Sequence, residues 1–150
     1  MAEIKPLEFE NFDETVAESF MKASEAGGGL PGFLGIKFVE FGPGTLHAEA
    51  EVRPELLTPF GNIHGGVMAA ICDHVLGCVC YPVMKKGQWA ATTEFKLNYL
   101  APVSSGTVEA FARIISMTRS TMVVRIDVTN EERLCCCAQG TVLVRSPKAK

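Results

Sequence analysis

The sequence predicts an α+β domain in which an antiparallel sheet wraps over one long buried helix, with a shorter helix ahead of it. Three observations carry this expectation. Residues 64–84 are apolar almost all round, as only a helix covered on most sides can be. Six segments of alternating apolar and polar residues flank that stretch, two before it and four after. The later segments are joined by tight links, 118–120 and 130–133, and links that short require antiparallel neighbours.

Taken in order, Asn11 followed by Glu14 has the pattern of a helix start in which both side chains cap backbone N–H groups. Phe12, Val16 and Phe20 recur every fourth residue and give that helix an apolar stripe. Gly27-Gly28-Gly29 stops it, and residues 30–35 read as a Pro/Gly-rich loop. Strands follow over 36–41 and 45–52, turned by Gly42-Pro43-Gly44. In the second, Leu46, Ala48, Ala50 and Val52 alternate with Thr45, His47, Glu49 and Glu51, which makes His47 a solvated side chain. Residues 53–62 hold two prolines and turn formers and read as a loop. The apolar helix then runs for about 30 Å, and Lys85-Lys86-Gly87 ends it with charges suited to a C-terminus. Strands over 90–100, 106–117, 121–129 and 134–144 complete the sheet.

With 150 residues, 47% hydrophobic and 21% charged, the chain fits one domain spanning residues 1–150 with a proper core. Its net charge of −3 argues against a nucleic-acid partner, which would need a basic face. The acidic N-terminus, MAEIKPLEFENFDE, is not a secretory signal, and charges interrupt every apolar run before the length of a membrane span. A cytoplasmic protein without membrane contact is the expectation. Cys135, Cys136 and Cys137 are adjacent and make a poor disulfide framework, so the six cysteines read as core filler. His74, Cys78 and Cys80 are the one conceivable zinc cluster, but side chains two apart on a helix diverge; neither metal nor cofactor is expected.

The helix opens as Gly61-x-x-His64-Gly65-Gly66 and carries Asp73 among Ala, Ile, Cys and Val, where an ionised carboxylate is costly without partners. This run and the order of elements resemble the hotdog-fold acyl-CoA thioesterases, most of all the phenylacetate-pathway type that includes the thioesterase superfamily member 2 group. Asn98-Tyr99-Leu100-Ala101-Pro102 and Ala138-Gln139-Gly140 are further matches, so the resemblance covers nearly the whole chain beyond the first helix. It implies a five- or six-stranded sheet curled around the helix and assembly into homodimers, often dimers of dimers. The implied reaction is hydrolysis of an acyl-CoA thioester, with CoA as part of the substrate. Asp73 would be nucleophile or general base, the Gly65 N–H would polarise the carbonyl, and Thr92 would hold the carboxylate or the attacking water. One position departs: six residues before His64 the family commonly has Asn or Gln, and here stands Thr58, with Asn62 nearby but out of register.

The chemistry also stands on the residues alone. A helix N-terminus presents unpaired N–H groups and partial positive charge, so Gly65 and Gly66 form a plausible oxyanion site. Asp73 in apolar surroundings has the environment that raises a carboxyl pKa, and ionised it activates water or attacks directly. Gly65 and Asp73 lie eight residues, about 12 Å, apart on one helix, so no thioester carbon can touch both within one chain. If both act on one group, they come from two subunits of a dimer. Arg119 with Ser120, or Lys85 and Lys86, would meet CoA phosphates, and Val67, Met68, Phe60 or the N-terminal segment near Phe33 would line the acyl path. His64 reads as a turn residue bonding nearby backbone or as part of the site, and His74 as structural. Two alternatives share the fold: a hydratase or dehydratase pairing His64 with Asp73, and an acyl-CoA binding module without turnover, which the Thr58 departure keeps open.

Overall fold

In the computed structural model, which describes residues 7–147, Asp13 rather than Asn11 caps the first helix. Its carboxylate accepts from the N–H groups of Thr15 and Val16 and opens α1, Glu14–Ala26. Asn11 instead reaches across the chain, donating to the Met84 and Pro82 carbonyls, and so ties the N-terminal segment to the far end of the central helix. Residues 1–6 of the acidic N-terminal stretch lie outside the described residues.

The 30–35 stretch is not a loop but a short helix, α2, Gly29–Leu34. Pro31 falls in its first turn, where no N–H is needed, and Gly35 closes it in the left-handed conformation at φ 73°. Strands β1, Lys37–Gly42, and β2, Thr45–Glu51, form the expected hairpin. A 3-10 turn at Pro54–Leu56 leads to the central helix α3, Gly65–Cys78. That helix is shorter than its apolar run. Pro82 lacks the N–H that would bond back to Cys78, and its ring conflicts with that carbonyl, so the chain turns through a second 3-10 segment, Tyr81–Val83. Lys85 and Lys86 therefore lie beyond a turn and not on the helix C-terminus. By length and composition Gly65–Val83, with a mean hydropathy of 1.5, is apolar enough to cross a membrane, because Asp73 alone does not break so apolar a window; here half of it is buried under the sheet.

Strands β3, Trp89–Tyr99, β4, Thr107–Met117, β5, Thr121–Asn130, and β6, Arg133–Arg145, complete one antiparallel sheet of six strands in the order β1-β2-β4-β5-β6-β3. The β5–β6 link is a two-residue turn with positive φ at both Glu131 and Glu132, the twist that suits a tight hairpin. The sheet's inner face packs on α3. Ala48 stands opposite Ala110 and Leu46 opposite Ala112, all buried in the core that the sheet forms with the helix. On the outer face His47 is not simply solvated. Its ring stacks on Phe111 at 4.3 Å and its Nε2 lies 3.2 Å from the Glu109 carboxylate.

At Gly140 in β6 the sheet meets the helix closely. A methyl group there would stand 2.5 Å from Leu76 Cδ1, 2.5 Å from Phe95 Cβ and 2.7 Å from the Glu94 carbonyl oxygen. Since backbone is among those neighbours, the strain cannot be relieved by one rotamer change. Gly140→Ala is therefore expected to cost about 1–3 kcal/mol, the usual range for overpacking, read as a lower urea midpoint. An unchanged midpoint would mean that α3 and β3 both give way at Gly140 without loss.

Candidate active site

At about 100° per residue, α3 has three sides. Met68, Cys72, Val75 and Leu76 face the sheet and are buried. His74 and Cys78 face α1 and α2, and the half-buried Val67 falls on the same side of the helix without lining the space between them. The third side carries Gly66, Ala69, Asp73 and Gly77, and none of the described residues covers it fully. Asp73 stands at its centre and is exposed, contrary to the apolar enclosure expected of it. The reason is that the neighbours in sequence are buried on the other two sides.

The N-terminus of α3 is held rigidly. Ile63 N–H donates to the Val103 carbonyl at 2.7 Å and His64 N–H to the Leu56 carbonyl at 2.9 Å, so the residues leading into the helix are fixed on both sides. His64 is the N-cap: its Nδ1 accepts from Gly66 N–H at 2.8 Å, which puts the proton of a neutral ring on Nε2. Tyr99, at the end of β3, donates its hydroxyl to the Gly65 carbonyl at 2.8 Å. The Gly65 N–H, in contrast, meets no acceptor among the described residues. Of the two glycines, only Gly65 has a donor to offer.

Thr58 and Asn62 sit at the same end, in a small loop closed by Thr58 N–H on the Asn62 carbonyl at 2.7 Å and by a bridge between Leu57 and Ile63. The Thr58 hydroxyl oxygen accepts from Phe60 N–H at 3.2 Å, and Gly61 makes the turn possible at φ 83°. The structure thus brings Thr58, Asn62, His64, Gly65 and Gly66 together. Phe60 projects from this loop and is 92% exposed, so it lines no path within the chain. Met68 is buried against the sheet and lines none either.

Thr92 and Asp73 are both exposed and make no hydrogen bond with each other. Thr92 lies seven residues, roughly 23 Å, along β3 from Tyr99, at a bulge between Thr92 and Glu94. Arg119 and Ser120 form the β4–β5 hairpin, with the Ser120 carbonyl accepting from Val144 N–H at 2.9 Å. Arg119 shares a depression of about 430 Å³ with Lys85 and Gln88, near the start of β3, whereas Gly65 is pinned to its end. Within one chain this depression, which Glu8 and Glu10 line together with Lys85 and Arg119, and the helix N-terminus therefore occupy opposite ends of the sheet.

The cysteines are packed thiols. Burial pushes Cys78 and Cys80 up to about 12, so neither is a thiolate near neutral pH. Cys80 donates to the Leu76 carbonyl, away from Cys78, and no cluster of three metal-ligating side chains occurs among the described residues. Sequence reasoning missed Tyr99 as the residue that pins Gly65, although the Asn98-Tyr99 match marked its position. It also gave no weight to β3 standing at the end of the sheet, with one edge unpaired among the described residues.

A six-stranded antiparallel sheet curled on one central helix places the chain in the hotdog class of folds. Residues 60–137 match the thioesterase superfamily, and the chain belongs to that family. It is similar to a 1,4-dihydroxy-2-naphthoyl-CoA hydrolase of Listeria monocytogenes, 30% identical over 121 residues that cover 80% of this chain and 98% of the relative. A proofreading thioesterase of Klebsiella pneumoniae is 32% identical over 113 residues, 74% of this chain and 82% of that one. The crystal structure of a Haemophilus influenzae thioesterase, 28% identical, superposes with a TM-score of 0.74 over 97% of this chain and 95% of its own.

His74 supplies a pH test of this packing. Burial holds its imidazole below the ordinary pKa of 6.5, against the opposing pull of Asp73 beside it. The unfolded chain then binds the proton more tightly than the folded one, so stability is lost as pH falls through that ordinary value. The urea midpoint is expected to drop as pH goes from about 7 to about 5, and His74→Phe to flatten that drop. An equally steep fall in the variant would assign the effect to other groups.

Proposed function

We propose that the chain hydrolyses an acyl-CoA thioester to the free acid and coenzyme A at a site shared by two copies. The observation that carries this reading is the pairing of an unspent Gly65 N–H at the α3 N-terminus with an exposed carboxylate, Asp73, two turns further along the same helix. Family membership supports thioester hydrolysis, and the Listeria relative acts, by its name, on a CoA thioester.

In this mechanism the thioester oxygen sits on the Gly65 N–H, where the helix dipole favours the negative charge that develops. The Asp73 carboxylate of the other copy attacks the carbonyl carbon or takes a proton from the attacking water. The tetrahedral intermediate collapses, the C–S bond breaks, and the CoA sulfur leaves as the thiolate; where Asp73 is the nucleophile, water then hydrolyses the acyl–Asp73 anhydride to the free acid and restores the carboxylate. The free β3 edge and the small residues around Asp73 are what a second copy needs for close approach. Two-fold pairing along that strip lays the helices side by side and brings each Asp73 toward its neighbour's Gly65. The same pairing supplies Thr92 and the Arg119–Ser120 hairpin from across the interface, for the water and the CoA phosphates respectively. Thr58 and Asn62, beside His64, flank the carbonyl site.

Free-thiol release from an acyl-CoA panel tests the reaction, and complementation tests the sharing. Asp73→Asn is expected to lower kcat by about 10²- to 10⁴-fold. Gly65→Pro removes the key N–H at a first helical position, where proline is tolerated, and should cost about 10²- to 10³-fold; its Cβ would stand 3.0 Å from the Tyr99 hydroxyl, so thermal melting must show that the variant folds. Mixing the two inactive variants regenerates one intact site in each mixed dimer, or about a quarter of wild-type activity. Single variants that are inactive and do not recover on mixing would place both groups in one chain, and an Asp73→Asn enzyme of full activity would remove Asp73 from the chemistry.

A further inference from the structure

On the reading of an acyl-CoA hydrolase, the acyl group needs a place to go, and the covered side of α3 offers one. Between α1, α2, α3 and β1 lies a cavity of about 330 Å³, near the lower end of the range for small-molecule pockets. Phe20, Ala23, Ile36, Phe38 and Cys78 are among its walls, and no Lys, Arg, Asp or Glu lines it. Its two hydrogen-bonding side chains besides the thiol are Ser24 and His74. The Ser24 hydroxyl is already used, donating to the Met21 carbonyl at 2.8 Å and accepting from Phe38 N–H at 3.1 Å. The His74 ring lies flat against Phe38 at 5.3 Å and meets only the Cys78 sulfur, at 3.9 Å.

The cavity adjoins the carboxylate. His74 follows Asp73 directly, about 100° round the helix, and Gly77 lies between them on the helix surface. A Cβ at Gly77 would meet nothing within 4 Å, so no described residue of this chain crowds the helix surface between Asp73 and the cavity. The rim is kept open in the same way. Gly28 has an extended backbone at φ 173°, which any residue adopts, and a Cβ there would meet nothing within 4 Å. Neither backbone nor packing requires glycine at Gly28. Gly32 is different, since its Cβ would stand 2.9 Å from the Gly27 carbonyl carbon. The bare Gly28 thus preserves space that the fold does not use.

We propose that this cavity is the acyl pocket of the site built on Asp73, and that it selects an uncharged, apolar acyl group of intermediate size, with Gly28 and Ala23 setting its limit. An acyl group with a second carboxylate would be buried there without a cation to pair it. A short acyl group would leave the pocket unfilled, and a long fatty chain would exceed it.

The test compares wild type with Gly28→Leu and Ala23→Leu on acetyl-, octanoyl-, benzoyl-, succinyl- and palmitoyl-CoA, with thermal melting to confirm folding. Wild-type kcat/KM should be highest for octanoyl- or benzoyl-CoA, and at least about tenfold lower for the succinyl group. Either variant should cut the favoured substrate about tenfold or more while acetyl-CoA stays within about twofold. Ala23→Leu narrows the cavity from α1 and serves alone if Gly28→Leu does not fold. Preference for the succinyl, acetyl or palmitoyl group, or variants that alter all substrates alike or none, overturns the pocket. If wild type releases no thiol from any thioester, hydrolysis falls but the pocket is still decided by calorimetry with the octyl-CoA thioether. Binding weakened about tenfold in the leucine variants then supports it, and equal or undetectable binding in all of them overturns it.

Discussion

Everything in this fold depends on burying a helix that is apolar around most of its circumference. A sheet can cover only one side of such a helix, and it does so closely enough that Gly140 has no room for a methyl group. That contact places Leu76 and its neighbours and fixes the rotation of α3 about its own axis. Once the rotation is fixed, the remaining two sides are fixed as well. One is roofed by α1 and α2 through His74 and Cys78; the other, with Asp73, is left open. The division into a packed side, a roofed side and an open side is thus one geometric consequence of the helix–sheet contact.

The start of the helix is as constrained as its rotation. Two backbone hydrogen bonds, the His64 cap and the Tyr99 hydroxyl hold the first turn from four directions. Such holding matters for chemistry because a donor stabilises developing charge best when it does not have to reorganise. The His64 ring has a further effect. By occupying the Gly66 N–H it leaves the neighbouring Gly65 N–H as the single unspent donor, so the motif His-Gly-Gly presents one N–H rather than two.

Much of this was readable in the sequence because it rests on local patterns. The strands of the sheet followed from period-two alternation and short turns, and the glycine-histidine start of α3 from its spacing. The failures have equally local causes. The apolar run continues through Pro82, so hydropathy alone overstated the helix that Pro82 ends at Cys78. Residues 30–35 look like a loop by their Pro and Gly content, yet each sits where a short helix tolerates it: Pro31 in the first turn, Gly35 at the cap. The exposure of Asp73 was not readable at all. Its sequence neighbours are apolar, and which side they bury depends on where the sheet lies, a matter of tertiary contact.

The exposure of Asp73 ties the proposed chemistry to assembly. A carboxylate on an open helix face is surrounded by water, which competes for its lone pairs and weakens its action on any nearby group. The same face carries Gly66, Ala69 and Gly77, whose small size adds little burial of its own but permits another surface to come close. A second helix laid there would displace water from Asp73 and, by two-fold symmetry, set the partner's Gly65 N–H within reach of the same substrate. The roofed side meanwhile stays within one chain, so the acyl pocket forms whether or not a partner is present. On this reading the acyl group is chosen by the chain that supplies Asp73, and its carbonyl is polarised by the other.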